Sequence, residues 1–493
     1  MKRKLLIIIA AVVLLVGVGI GIGVAVYSNQ PENIAIGAVQ SALNDIVDRE
    51  EIRPVYNMLQ KGSLAVSVDE IKLENQDMLT GGRLEGKLYF SPDALMLRDA
   101  KITYKGIEAD GNIYLSDKFF YAEEKSIVGG AYGAPLKDLA DDLRGSIFAY
   151  GSGSEYAMTD EELYNTLVAA LETSGNKALR RDAEKLLEKH SAKIWNIFCD
   201  NVDFEKESDD VRLNGEKTAV RVVRITIDDR AMANIITDLY EYLVEDESIP
   251  KFLDKYSDTL LPLMENAYGI RINDTDTLGE FYEETLANMA DKVERHCDEI
   301  ETSILPKSII IEIITKKTSN DLLKLSVELS GYPSWSNFSI DFGKQGIKKT
   351  NEIRLTANYK NISYTVTENN KKAYTAIIKV DKTEFATVSI ERSRGEYSIE
   401  WGDREDGYLI KGTIDSKRGK TSLTVDKVIR SYAEDATWLG FDVLEYRQDT
   451  YKTKISLVID ESDRMPSAPK RYDRITEITD ADVKSWLDTL NKE

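Results

Sequence analysis

The stretch ITIDDRAMANIITDL, residues 225–239, changes its period halfway along. Ile225 and Ile227 alternate with a threonine as in a strand, whereas Met232, Ile235, Ile236, Leu239 and Leu243 recur at helical spacing. Asp228 and Asp229 lie between the two patterns. A carboxylate there can accept the orphan N–H groups of a first helical turn and complement the positive helix end. The aspartates thus read as the start of a helix that folds back onto a sheet. Thr159 with Glu162 has the spacing of a reciprocal cap, and Thr479 with Asp482 is a weaker version. In this reading the acids are structural and carry no catalysis.

Working outward, residues 63 to about 150 carry successive strand patterns, SLAVSVDEIKL, RLEGKLYF, ALMLRDAKITY, IEADGNIYLS and KFFYAEE. Residues 159–302 are mostly helical, interrupted by a strand pair hinged on Asn214-Gly215, a dipeptide that supplies the φ > 0 positions of a tight turn. Leu179, Ala183, Leu186, Ile194 and Ile197 mark one helix face there; Phe281, Met289, Val293, Cys297 and Ile300 mark another. From 307 to 460 ten more strand patterns follow, joined by short polar turns. Ile362/Tyr364/Val366 and Tyr397/Ile399/Trp401 alternate with polar neighbours, as in a meander with one wet face. The fold class expected is α+β, with large curved antiparallel β-sheets in two β-rich lobes packed with amphipathic helices.

Residues 5–27 are uncharged, and a helix of that length, about 34 Å, crosses a bilayer. Lys2, Arg3 and Lys4 precede it, which places the N-terminus in the cytoplasm and residues 30–493 outside. The apolar run is longer than that of a cleaved signal peptide, so a retained anchor is the expectation. Gly17, Gly19, Gly21 and Gly23 read as ordinary membrane-helix glycines. The expected division is 1–29 cytoplasmic tip and transmembrane anchor, 30–62 juxtamembrane helix, 63–304 N-terminal lobe with a helical middle, and 305–493 C-terminal meander with a terminal helix.

The charge, 64 basic against 85 acidic residues for a net −21, disfavours nucleic acid. Two histidines and two cysteines leave little for a Cys/His metal site, and no cofactor motif is present. His296, Cys297 and Asp298 are adjacent, but neighbours on a helix point about 100° apart, so Cys297 reads as a core residue. His190 reads as solvated. A Cys199–Cys297 disulfide would suit an extracytoplasmic lobe. The oxygen-rich stretches 273–280 and 403–407 lack EF-hand spacing and read as turns.

The stretch DDVRLNGEKTAVRVVRITIDDRAMANIITDL, a hairpin running into an amphipathic helix, is similar to segments of the LolA/LppX-like lipoprotein-carrier superfamily. That resemblance implies a strongly curved antiparallel sheet wrapped around helices and enclosing a hydrophobic cavity. The whole layout also resembles uncharacterised single-pass surface proteins of Gram-positive-type bacteria. The leading expectation is a non-catalytic, membrane-anchored protein that binds an apolar or envelope-derived ligand, a lipid for example, or a partner. A cell-surface scaffold without a cavity is the alternative, and a carboxylate-based hydrolase the third. The first predicts an apolar pocket of roughly 300 Å³ or more between helix and sheet.

Overall fold

A computed structural model describes residues 30–49, 52–73, 83–104, 107–268, 277–295, 307–330, 337–357, 360–369, 373–403, 405–438 and 441–490. The expected anchor, 5–27, lies outside them, and among the described residues no helix is long and apolar enough to cross a membrane. Helices α1 (Pro31–Val47) and α2 (Arg53–Lys61) lead into strands β1 (Ser63–Leu73), β2 (Arg83–Ser91), β3 (Ala94–Tyr104), β4 (Ile107–Ser116), β5 (Phe119–Glu124) and β6 (Gly130–Pro135). Helices α3 (Leu139–Arg144), α4 (Glu161–Gly175) and α5 (Lys177–Asn201) precede the hairpin β7 (Asp203–Leu213) and β8 (Glu216–Asp228). Then come α6 (Asp229–Glu245), α7 (Ser248–Lys255), α8 (Ser257–Tyr268) and α9 (Leu278–Ala287). The meander follows as β9 (Ser308–Lys316), β10 (Leu322–Ser330), β11 (Phe338–Asp341), β12 (Glu352–Ala357), β13 (Lys360–Asn369), β14 (Ala373–Val380) and β15 (Thr383–Glu391). It ends with β16 (Glu396–Gly402), β17 (Asp406–Lys417), β18 (Lys420–Trp438) and β19 (Phe441–Asp460), and α10 (Asp480–Leu490) closes the described chain.

All 19 strands among the described residues belong to one sheet. The ladder runs from β7 through β8 and on to β19, which pairs with β1, and continues from β1 to β6; every step is antiparallel. The two β-rich regions expected as separate lobes are therefore hydrogen-bonded together, through β8–β9 and through β1–β19. Alternation identifies which face of a strand is apolar but not which strand lies beside it.

Local signals explain the elements. Asn214 and Gly215 hold φ of 47° and 90°, the two left-handed positions that join β7 to β8. Asp228 caps α6, accepting the Ala231 N–H at 2.7 Å. At α4 the cap is Asp160, whose carboxylate accepts the Leu163 N–H at 2.9 Å, one residue later than the Thr159 pattern expects. Thr479 and Asp482 do bond reciprocally, at 3.3 and 2.9 Å.

The expected helix over 277–300 breaks at Asn288; Leu278, Gly279 and Leu286 are buried in its first part, Met289 is exposed, and Cys297 and Ile300 lie outside the described residues.

The main core fills the apolar face of β8–β11. Val223, Ile225, Ile227, Ile309, Ile311 and Val327 meet Ile34, Ala35 and Ala38 of α1 and Trp195 and Phe198 of α5. Strands β8 and β9 read as nearly unbroken apolar runs because their other face is buried too, with Val220, Val222, Ile314 and Leu323. At the far end of the sheet, Phe120 and Ala134 pack with Leu136, Leu139 and Leu171.

These two cores force the sheet to curve. From Leu171 to Trp195 the chain is helical but for one junction, so they lie no more than about 40 Å apart. Along the sheet, the path from β5 to β8 by way of β1 and β19 is about 75 Å at ordinary strand spacing. Both helical covers sit on the same face, which is therefore the inside of the arc. Register shifts in β1, β2, β3, β14 and β17 supply the bends that such curvature needs.

Candidate functional site

Between the two cores, over β13–β19 and β1–β4, the inner face continues without interruption. Val366, Ala376, Val388, Ile399, Ile410, Val428 and Tyr451 form one row across seven strands. A second row, Val425, Ile455, Val68, Leu84, Ile102 and Ala109, carries the apolar surface on to β4. The outer face of β13–β18 is polar, as in the row Thr367, Thr375, Ser389, Ser398, Lys411 and Lys427, whereas on β2 and β3 the outer face carries the buried Tyr89 and Met96.

Little covers these rows. Among the described side chains of β13–β18 only Ala376, Tyr397, Gly407 and Gly412 are buried. On the inner face of β2–β4 apolar side chains stand open: Leu84 is 45% exposed, Ile102 52% and Ile113 46%. The open stretch spans about 50 Å across the strands. That is well beyond the isolated apolar patches of ordinary soluble surfaces. Toward one set of strand ends the rows close with aromatic groups, where Trp401 stacks on Tyr408 at 5.1 Å and Arg430 lies 5.9 Å from the Tyr408 ring.

The pocket expected between helix and sheet takes a different form. A cleft of about 330 Å³ does exist, but its lining mixes Glu312, Lys324, Ser326 and Glu328 with Ile310, Val327 and Phe338. The apolar surface is an open trough instead. Among the described residues, helices cover its two ends, and in the middle only α2 packs on β19, β1 and β2.

The reactive residues singled out in the sequence do not converge. Cys199 is half-buried against the main core, and burial pushes its thiol up to about 12, which removes it as a nucleophile at neutral pH. It forms no disulfide among the described residues. Its proposed partner Cys297 lies outside them, with His296 and Asp298. Residues 273–276 are likewise outside, while Thr277 and Glu280 form a reciprocal helix cap on α9. Asp403 accepts the Glu405 and Asp406 N–H groups at 2.8 and 3.0 Å, the geometry of a turn.

His190 departs from expectation. It is 8% exposed, not solvated. Tyr242 Oη lies 2.6 Å from Nδ1, and Ser248 Oγ and Asp246 Oδ1 lie 3.4 and 3.7 Å from Nε2. A hydrolytic triad places the acid on the ring nitrogen opposite the nucleophile, whereas here Asp246 and Ser248 share one side. Asp246 also accepts the Ser248 and Ile249 N–H groups and pairs with Lys189 at 2.5 Å. The cluster ties α5 to α6 and α7. Sequence gave no hint of it because its members come from three separate helices.

Comparison with protein-family models, curated proteins and solved structures yields no match.

Proposed function

We propose that this chain is a membrane-anchored, extracytoplasmic, non-catalytic protein that shelters the apolar chains of an envelope-derived amphiphile in the trough. The observation that carries this reading is the continuous row of apolar side chains running from β13 to β4, half-buried on β13–β19 and exposed on β2–β4. Leaving so much apolar surface in water costs about 25 cal/mol per Å², a cost that a bound acyl chain would offset. The anchor at 5–27 keeps such a trough beside its source of ligand, because Ile34 is already fully buried in the main core. The curved sheet around helices agrees with the architecture of the LolA/LppX-like carriers that the hairpin–helix segment resembles.

The test is titration of residues 30–493 with a fluorescent fatty acid. Saturable binding and a raised unfolding midpoint are expected, with stabilisation of about 2.7 kcal/mol at a hundredfold excess over Kd. Absence of both overturns the reading.

A cell-surface scaffold is the second reading, and the β18–β19 hairpin favours it. Beyond Tyr432 and Tyr451 its two strands pair only with each other, and they project past their neighbours. Leu444 and Tyr446 are exposed on this arm.

A further inference from the structure

The two ends of the trough differ, and the difference orients it. The C-terminal end of α1 and helix α2 lie along one set of strand ends. Arg49 donates to the Ile347 and Thr350 carbonyls at 2.5 and 3.3 Å, and Asp48 pairs with Lys348. Farther on, Asn57 donates to Glu461 at 2.8 Å and Arg464 reaches the Lys61 carbonyl at 2.5 Å. Residues 48–61, which follow the proposed anchor after one helix, thus run along this rim.

Part of the same rim is basic, in a chain whose net charge is −21. The loop 342–351, between β11 and β12, holds three lysines and no acid. The turn between β17 and β18 sets Lys417, Arg418 and Lys420 against Asp415. Lys348, Lys349, Lys417, Arg418 and Lys420 are all exposed; Lys348 pairs with Asp48 and Lys417 with Asp415 at 2.8 Å. The acids Asp460 and Glu461 end this basic sector. The opposite rim carries Asp381, Asp403, Glu405 and Asp406, with Lys382 beside the first and Arg404 within the sequence of the last three.

Resting on the anchored-trough reading above, we infer that the rim carrying α1, α2 and these basic turns faces the bilayer and engages anionic lipid headgroups. Each exposed cation near an anionic surface strengthens attraction, and the effect dies away within a Debye length. A rim held close by the anchor gains from it, and the acidic opposite rim is repelled. Acyl chains would then enter the trough at this mouth with their headgroups toward the basic turns.

The experiment uses the full chain in nanodiscs of phosphatidylglycerol or phosphatidylcholine that contain a quencher lipid. A fluorescent amino acid replaces Arg418 on one rim or Asp381 on the other. Quenching at 418 and not at 381 is expected, stronger in phosphatidylglycerol. Lys417→Glu with Lys420→Glu should abolish that preference, and Lys349→Glu in the loop between β11 and β12 should weaken it, with unchanged circular dichroism. Equal or greater quenching at 381, or a preference that survives both variants, overturns the inference. Fatty-acid binding by the parent chain separates the two ideas: if it persists when the rim result fails, the orientation alone is wrong. If the parent binds none, the trough reading falls first.

Discussion

Tyr397 lies directly across the strand pair from Gly412, and a β-carbon added to Gly412 would come within 2.9 Å of Tyr397 Cε1. It would also come within 1.7 Å of the Thr424 carbonyl oxygen, which is backbone and cannot swing aside. Gly412 stands where β17 shifts register against β18, so the missing side chain lets the sheet bend while the tyrosine ring fills the gap. Gly412→Ala should cost about 1–3 kcal/mol, as overpacking does, read as a lowered urea midpoint.

Leu84→Ser and Ile113→Ser test the trough itself. Both side chains are already half in water, so each replacement should change stability by no more than about 0.5 kcal/mol. Binding of a fluorescent fatty acid should nevertheless weaken, most in the double variant. A loss of stability equal to that of a core substitution would mean that something in the folded chain covers these positions.

His190 makes stability depend on pH. Burial holds its imidazole below the ordinary value of 6.5, with Asp246 opposing the shift. The unfolded chain takes up the proton first, so this contribution is present above pH 6.5 and is lost as pH falls toward the lower folded value. Thermal unfolding of the wild type should drop between about pH 7 and 5.5 more steeply than that of His190→Gln.

Arg474 reaches Asp142 with two hydrogen bonds, one of 2.6 Å, and Asp142 is 6% exposed. Arg474→Ala leaves that carboxylate buried with its main partner gone. A loss of about 3 kcal/mol is expected, and Arg474→Ala with Asp142→Ala together should cost less than the single change.

Asp228→Ala should cost about 1 kcal/mol, the value of a helix cap, and Asp228→Asn should restore most of it. Met232→Asp, on the next turn, should cost more, since Met232 packs against the main core. Both are read by chemical denaturation.

Much of the sheet was legible because its strands obey a period of two and its turns use glycine, asparagine and aspartate. β11 escaped notice since FSID is four residues long and has no clear alternation. β6, GAYGAP, escaped because small residues give no apolar contrast. The arm of β18 and β19 was hidden by acidic residues on its paired strands, which look like a loop. Pairing of β1 with β19 left no trace, because backbone hydrogen bonds between distant strands need no particular side chain. The trough was half visible: alternation in IleSerTyrThrVal, 362–366, announced an apolar face, but cover depends on where helices end. His190 was misread for the same reason, as its neighbours arrive from α6 and α7.

The pairing of Ser63 with Asp460 and Ala65 with Val458 also sets an order of events during folding. The strand near the start of the chain waits for one of the last to be made, so β1 cannot find its partner until nearly the whole polypeptide has emerged. Until then β1 offers an unpaired edge, and contacts so distant in sequence form slowly. A chain cut short before β19 would keep that edge permanently and should be a substrate for aggregation or proteolysis, so completion of synthesis doubles as a checkpoint on assembly.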